Sequence, residues 1–175
     1  MSNEIENQRV RLDGRSLARA QVVAVAHGAD VELDAGQLEQ VRVAADFLAG
    51  QVRQQEPIYG VSTGFGSNAD RLLGAHRLRD ELPGAEPDPR AGSLHSELQR
   101  NLIITHAVCV GEPFAADVVR AMLVIRINTL MKGHSGIRVQ TLQAMAALLN
   151  AGIVPVVPKL GSVGASGDLA PLSHL

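Results

Sequence analysis

The chain has 175 residues, 46% of them apolar, with 16 basic and 18 acidic side chains and a formal net charge of −2. This length and apolar content suffice for one buried core, and the interspersed charges form no basic stripe, which argues against nucleic acid as a partner. The lone cysteine, Cys109, excludes an internal disulfide, and the polar start Met1 to Glu6 lacks the charged leader and apolar run of a signal peptide. Arg120, Arg126 and Lys132 interrupt the most apolar stretch before it reaches the length of a bilayer span, so no membrane partner and a cytoplasmic location are expected.

Aromatic residues make up only 2% of the chain. Abundant Ala, Leu and Val at helical spacing point to a mainly α fold. Ser16 followed by Leu17, Ala20, Val23 and Ala24, then Gly28, predicts a short helix capped by Ser16. Val31 to Leu33 reads as extended. Asp34 with Gln37 forms a capping-box-like start, and Leu38, Val41, Ala45, Leu48 and Val52 line one face of a long helix that stops before Pro57. The segment Tyr59-Gly60-Val61-Ser62-Thr63-Gly64-Phe65-Gly66 carries too many breakers for regular structure.

Residues 83–92 are rich in proline and glycine and are expected to form an exposed loop rather than a domain boundary. From Ser93 the spacing of Leu94, Leu98, Leu102, Thr105 and Val108/Cys109 predicts a helix closing near Gly111. A second helix follows Pro113 and runs to Lys132, apolar almost all round between Val118 and Ile127. A third covers about Ile137 to Asn150, with Leu142, Met145, Ala146 and Leu149 inward. Ile153 to Pro158 then reads as extended, because each proline disfavours helix at its predecessor. There is no internal repeat.

The segment Gly161-Ser162-Val163-Gly164-Ala165-Ser166-Gly167-Asp168-Leu169-Ala170-Pro171-Leu172-Ser173-His174 is the most informative. Read plainly, it is a glycine turn followed by a helix with Asp168 as N-cap and Pro171 in the first turn. A serine-hydrolase elbow, G-x-S-x-G, fails because Asp168 stands where its last glycine belongs. A phosphate loop fails for want of the Gly-Lys-Ser/Thr ending, and Gly60 to Gly66 matches no dinucleotide fingerprint.

Gly161 to His174 closely resembles the signature of the histidine, phenylalanine and tyrosine ammonia-lyases and the related 2,3-aminomutases. The resemblance implies the N-terminal part of their helical, fumarase/aspartase-like fold, with short extended segments around this loop and residues 1–175 as a single domain. It also implies a built-in electrophile. The glycine nitrogen attacks the alanine carbonyl, and loss of two waters leaves 4-methylideneimidazol-5-one (MIO), here from Ala165, Ser166 and Gly167. The residue types suit this chemistry. Gly167 lacks a Cβ and can approach the Ala165 carbonyl, and Ser166 supplies a hydroxyl that leaves as water. Ordinary side chains are nucleophiles, so an enzyme that needs an electrophile must import one or make one.

Three further segments extend the resemblance. Tyr59 with its glycine loop resembles the family's tyrosine loop, which implies Tyr59 as the base that takes a β-proton, Gly66 beside the substrate, and Gly60 and Gly64 as supporting residues. A phenol ionises near pH ~10 when free, so such a base needs donors or dipoles that stabilise its anion. Leu98 to His106 resembles the family's substrate-sorting helix, with Thr105 and His106 as the sorting pair. His106 at the second position favours histidine as substrate. Met131 to Arg138 resembles a family turn. His134 and His174 have no partners at metal-ligand spacing, so no metal is expected.

Family members continue well past the position of Leu175. An asparagine, further tyrosines, a carboxylate-binding arginine and a glutamate lie downstream in them, and their sites combine subunits of a homotetramer. Residues 83–89 look like an insertion. Two readings follow: the N-terminal portion of an ammonia-lyase or aminomutase, alone inactive and completed by its homotetramer or by a complementary C-terminal chain; or a truncated, non-catalytic assembly partner.

Overall fold

The computed structural model describes residues 9–54, 56–64, 94–164 and 167–175, with the backbone alone for 94–96 and 98. They fall into two compact units, one built from residues up to Leu48 and from Cys109 onward, the other from Ala49 to Val108. The elements in chain order are β1 (Val10–Leu12), α1 (Arg19–Ala26), β2 (Val31–Leu33), α2 (Ala35–Arg53), α3 (Leu94–His106), β3 (Val110–Pro113), α4 (Ala116–Leu130), α5 (Val139–Asn150), β4 (Pro158–Leu160) and α6 (Leu169–Leu172). The chain is mainly helical, as its composition predicts. The exposed loop expected at 83–92 lies outside the described residues.

In the first unit β1 and β2 pair in parallel, Val10 against Val31 and Leu12 against Leu33. A parallel pair needs a crossover, and α1 supplies it. The helix starts later than predicted. Ser16 does not cap it, because the Ser16 hydroxyl and amide both bind the Asp13 carboxylate in a tight turn, at 2.6 and 2.8 Å. The helix opens instead at Ala18, whose amide donates to the Gln21 side chain at 2.8 Å. The predicted start of α2 is present: the Gln37 amide donates to Asp34 Oδ1 at 2.7 Å. Arg53 ends α2, several residues before Pro57.

The core of this unit forms around α4. Leu123, Val124, Ile127, Leu130 and Met131 are buried against Val25 of α1, Val10, Leu12 and Val31 of the strands, Val41 of α2, and Leu142, Ala146 and Leu149 of α5. Burying such side chains contributes roughly 1.5–3 kcal/mol each. The nearly all-apolar helix is not covered all round, since Val118 and Ile125 stay exposed.

Arg120, in the second turn of α4, is buried. Its Nε donates to the Val25 carbonyl at 2.7 Å, Nη1 to Leu149 at 2.8 Å and Nη2 to Ala29 at 3.3 Å. The Val25 and Leu149 carbonyls belong to the C-terminal ends of α1 and α5, where the helix dipole favours a cation, and Ala29 lies in the turn between α1 and β2. Arg120→Leu removes all three hydrogen bonds, although the Val25 and Leu149 carbonyls keep the amides of Gly28 and Gly152, so the unfolding free energy is expected to fall by roughly 2–4 kcal/mol. Urea denaturation checks this, and a loss below about 1 kcal/mol would contradict the assigned role.

Two carboxylates tie the β1 region together. Hydrogen bonds from the Ser16 hydroxyl, then from the Ser16 and Arg15 amides, push Asp13 down to about 2. The Gln37 amide, followed by the Arg11 guanidinium paired with it, lowers Asp34. Both groups bind protons less readily folded than unfolded, where an aspartate titrates near ~3.9. Their stabilisation is therefore present above that value and lost as the pH falls below it, for Asp13 on the way to about 2. Chemical denaturation at successive pH values is expected to show falling stability below about pH 4.5, with a shallower fall in Asp13→Asn. Equal slopes in the two proteins would contradict this account.

The stretch after α3 departs from the expected helix. Residues 107–109 leave the helix at His106, and Val110 to Pro113 form β3, paired antiparallel with β4. Val110 faces Leu160 and Pro113 faces Pro158, so three steps of β3 match two of β4. Gly111, at φ 85°, takes up the extra residue as a bulge. The helical spacing of Val108 and Cys109 is overridden by this long-range pairing.

Candidate active site

The glycine-rich loop leaves β4 at Leu160 and enters α6 at Leu169. Gly161 packs on Cys109 so closely that an added Cβ would lie 2.3 Å from Cys109 Sγ, so a larger residue there would force Cys109 to move. At the far end of the loop, the Cys109 amide donates to His174 Nε2 at 3.3 Å. Cys109 thus lies against both ends of the segment, by its side chain at Gly161 and by its amide at His174. His174 is a hydrogen-bond acceptor for a residue 65 positions earlier in the chain.

Between these ends the backbone enters the left-handed region at Gly164 (φ 69°), Gly167 (φ 75°) and Asp168 (φ 54°). An added Cβ at Gly164 or Gly167 would meet nothing within 4 Å, so backbone conformation rather than crowding calls for glycine there. Asp168 is the one non-glycine with positive φ among the described residues. It occupies the N-cap position of α6 but makes no side-chain cap. A capping side chain needs extended backbone and a free amide at the second or third helical position. Asp168 is left-handed, and Pro171, in the third position, has no amide hydrogen. Its carboxylate instead accepts the Ser162 hydroxyl. Ala165 and Ser166 lie outside the described residues.

In the second unit, Tyr59 stands on a tight turn. The Ile58 carbonyl accepts the amides of Val61, Ser62 and Thr63 at 3.0 to 3.2 Å, and Gly60 turns at φ 71°. The Ser62 hydroxyl accepts the Ile58 amide at 2.7 Å and donates to the Glu56 carbonyl, so Ser62 is buried. This fixes the base of the turn and leaves the Tyr59 side chain 65% exposed. Gly64 follows, its carbonyl accepting the Thr63 hydroxyl at 3.1 Å. Gly66 lies outside the described residues.

Thr105 and His106 close α3. The Thr105 hydroxyl reaches back to the carbonyls of Asn101 and Leu102 at 2.9 and 3.0 Å. His106 Nδ1 lies 2.8 Å from the Leu102 carbonyl and 3.2 Å from the Thr105 hydroxyl. A carbonyl only accepts, so the proton sits on Nδ1, and in the neutral ring Nε2 is the acceptor. Tyr59, Thr105 and His106 belong to the second unit, Gly167 and Asp168 to the first. Among the described residues no group of three or more His, Cys, Asp or Glu side chains is placed to hold a metal ion.

The family model for aromatic amino acid lyases matches residues 17–175. The chain belongs to that family. It is 45% identical over 163 residues to a histidine ammonia-lyase of Symbiobacterium thermophilum, covering 93% of this chain and 29% of the relative. It is 48% identical over 155 residues to a tyrosine 2,3-aminomutase of Myxococcus fulvus, covering 88% and 26%. The crystal structure of the tyrosine aminomutase from Streptomyces globisporus superposes with a TM-score of 0.80 at 35% identity, over 95% of this chain and 28% of that one. The helical fold is therefore that of the lyases and aminomutases. The chain spans under a third of the length of these relatives.

Three features escaped the sequence. Ser162 looks like loop filler between glycines, Arg120 like a surface break in an apolar helix, and Cys109 like a helical residue. Each acts through partners distant in the chain or through the loop's own turn, and no local pattern records them.

Proposed function

We propose that the protein is a MIO-dependent ammonia-lyase, or an aminomutase of the same chemistry, acting on an aromatic L-amino acid, with histidine the favoured substrate. The observation that carries this reading is the Gly161 to His174 segment in a chain of the aromatic amino acid lyase family. The described part of the loop suits an internal cyclisation, because Gly164 and Gly167, on either side of Ala165 and Ser166 in sequence, both hold positive φ, a conformation used in tight turns. When formed, the MIO group supplies an electrophile for the substrate amine, which no ordinary side chain offers.

Tyr59 is the base for the β-proton, with Gly60, Gly64 and Gly66 shaping its loop, and Asp168 supports the ring-forming turn. Thr105 and His106 contact the substrate ring. Nε2 of His106 accepts a hydrogen bond, which suits an imidazole N–H or a phenol O–H and leaves phenylalanine without a partner. The similarity to both histidine ammonia-lyases and tyrosine 2,3-aminomutases keeps the β-amino acid as a second product reading. The enzyme works in the cytoplasm as a homotetramer, or together with a complementary C-terminal chain.

The test is a parallel assay of histidine, tyrosine and phenylalanine on the full-length protein, scoring both the unsaturated acid and the β-amino acid. Turnover of histidine to the unsaturated acid, at least about tenfold faster than of phenylalanine, is expected. Preference for phenylalanine would overturn the role given to His106, and no turnover of any of the three would overturn the activity.

A further inference from the structure

One side chain touches both flanks of the Ala165-Ser166-Gly167 tripeptide. The Ser162 hydroxyl donates to Asp168 Oδ1, on the residue after Gly167, and accepts the amide of Gly164, on the residue before Ala165, at 3.1 Å. A single oxygen thus links the backbone amide just before the tripeptide to the side-chain carboxylate just after it, on either side of the positions between which the ring must close. It also occupies the Asp168 carboxylate, which makes no cap to α6, while Asp168 stays in a left-handed conformation that disfavours most non-glycine residues.

We infer that Ser162 is a positioning residue for formation of the MIO ring, holding Gly164 and Asp168 so that the Gly167 nitrogen meets the Ala165 carbonyl carbon. The inference rests on the MIO reading of the tripeptide. In the cyclisation the Gly167 nitrogen bonds to the Ala165 carbonyl carbon. The carbonyl oxygen leaves as water with the hydrogens of the Gly167 and Ser166 amides, and a double bond forms from that carbon to the Ser166 nitrogen. The Ser166 hydroxyl then leaves as a second water with the Ser166 α-hydrogen, giving the exocyclic methylidene. Electrons balance without an oxidant. What the protein must supply is proximity, because an extended tripeptide keeps nitrogen and carbonyl apart. A hydroxyl bound to both flanks restricts the loop to turned conformations before any bond forms.

Two other anchors hold the loop further out, Gly161 against Cys109 and His174 on the Cys109 amide. They fix where the loop starts and ends. Ser162 acts inside them, within three residues of Ala165. Its loss should therefore slow ring formation more than it disturbs the fold.

The test follows the mass of the loop peptide with time after synthesis in full-length wild-type, Ser162→Ala and Ser162→Thr proteins, with a circular dichroism melt on each. Threonine keeps the hydroxyl and alanine removes it. Loss of two waters is expected to be roughly tenfold or more slower in Ser162→Ala and near the wild-type rate in Ser162→Thr, with similar far-ultraviolet spectra. The fraction that does mature in Ser162→Ala should show an unchanged KM. Wild-type kinetics of water loss in folded Ser162→Ala would overturn the inference while leaving the MIO reading intact. Equal slowing in folded Ser162→Thr and Ser162→Ala would overturn it as well. If Ser162→Ala does not fold, Ser162→Thr and Ser162→Cys decide: dehydration at the wild-type rate in threonine and slower in cysteine, a poorer hydrogen-bonding group, supports it, and equal rates overturn it. A wild-type peptide that never loses water overturns the MIO reading itself.

Discussion

Ser166→Ala is expected to lower kcat on the best substrate by at least about three orders of magnitude, with the helical fold unchanged. The argument is one of leaving groups. The exocyclic carbon of the electrophile comes from the serine β-carbon, and it becomes unsaturated only because a hydroxyl departs from it. Alanine has nothing to lose there. The position is next to Gly167, whose backbone at φ 75° is already in the left-handed region, so the substitution changes the chemistry of the loop rather than the conformation of that glycine. Steady-state kinetics with circular dichroism as a folding control checks this. Activity above a trace in folded Ser166→Ala would remove the electrophile from the account.

Tyr59→Phe is the second large effect, an expected fall in kcat of roughly 10²–10⁴-fold, the usual range for deleting a positioned general base. The phenol is carried on a turn fixed by backbone groups. The Ile58 carbonyl collects three amides, and the buried Ser62 hydroxyl closes the turn beneath it. None of those bonds involves the phenolic oxygen, so removing it should leave the turn standing. The loop peptide of Tyr59→Phe should still lose two waters, which separates a failed base from a failed electrophile. Near-normal turnover would refute the assignment.

Much of the fold was readable because its helices are local. Asp34 followed by Gln37 marks the start of α2, and Leu142, Ala146 and Leu149 mark the buried face of α5; both are present. The failures share one cause. Ser16 has the right chemistry for a cap but lies within reach of Asp13, and Val108 and Cys109 have helical spacing but are followed by a strand whose partner is some 50 residues away in sequence. β1 was missed because three residues carry little pattern until β2 is beside them.

The site divides in the same way. The Gly161 to His174 motif and the Tyr59 loop are contiguous in sequence and could be recognised residue by residue. The bond from Ser162 to Asp168 and the contact of Cys109 with His174 depend on how the chain turns back on itself. Asp168 shows the limit most clearly. Its position before Leu169 reads as a cap, yet the proline two residues beyond Leu169 removes an amide that a cap would bind, and the carboxylate turns to serine instead.

The central claim, that this chain makes its own electrophile from Ala165, Ser166 and Gly167, is tested most directly by the mass of the loop peptide. Proteolysis of the folded, active full-length protein followed by tandem mass spectrometry should give a fragment lighter than its sequence by two waters, with the loss confined to these three residues. A fragment at its full unmodified mass, from protein that turns over an aromatic amino acid, would contradict the claim.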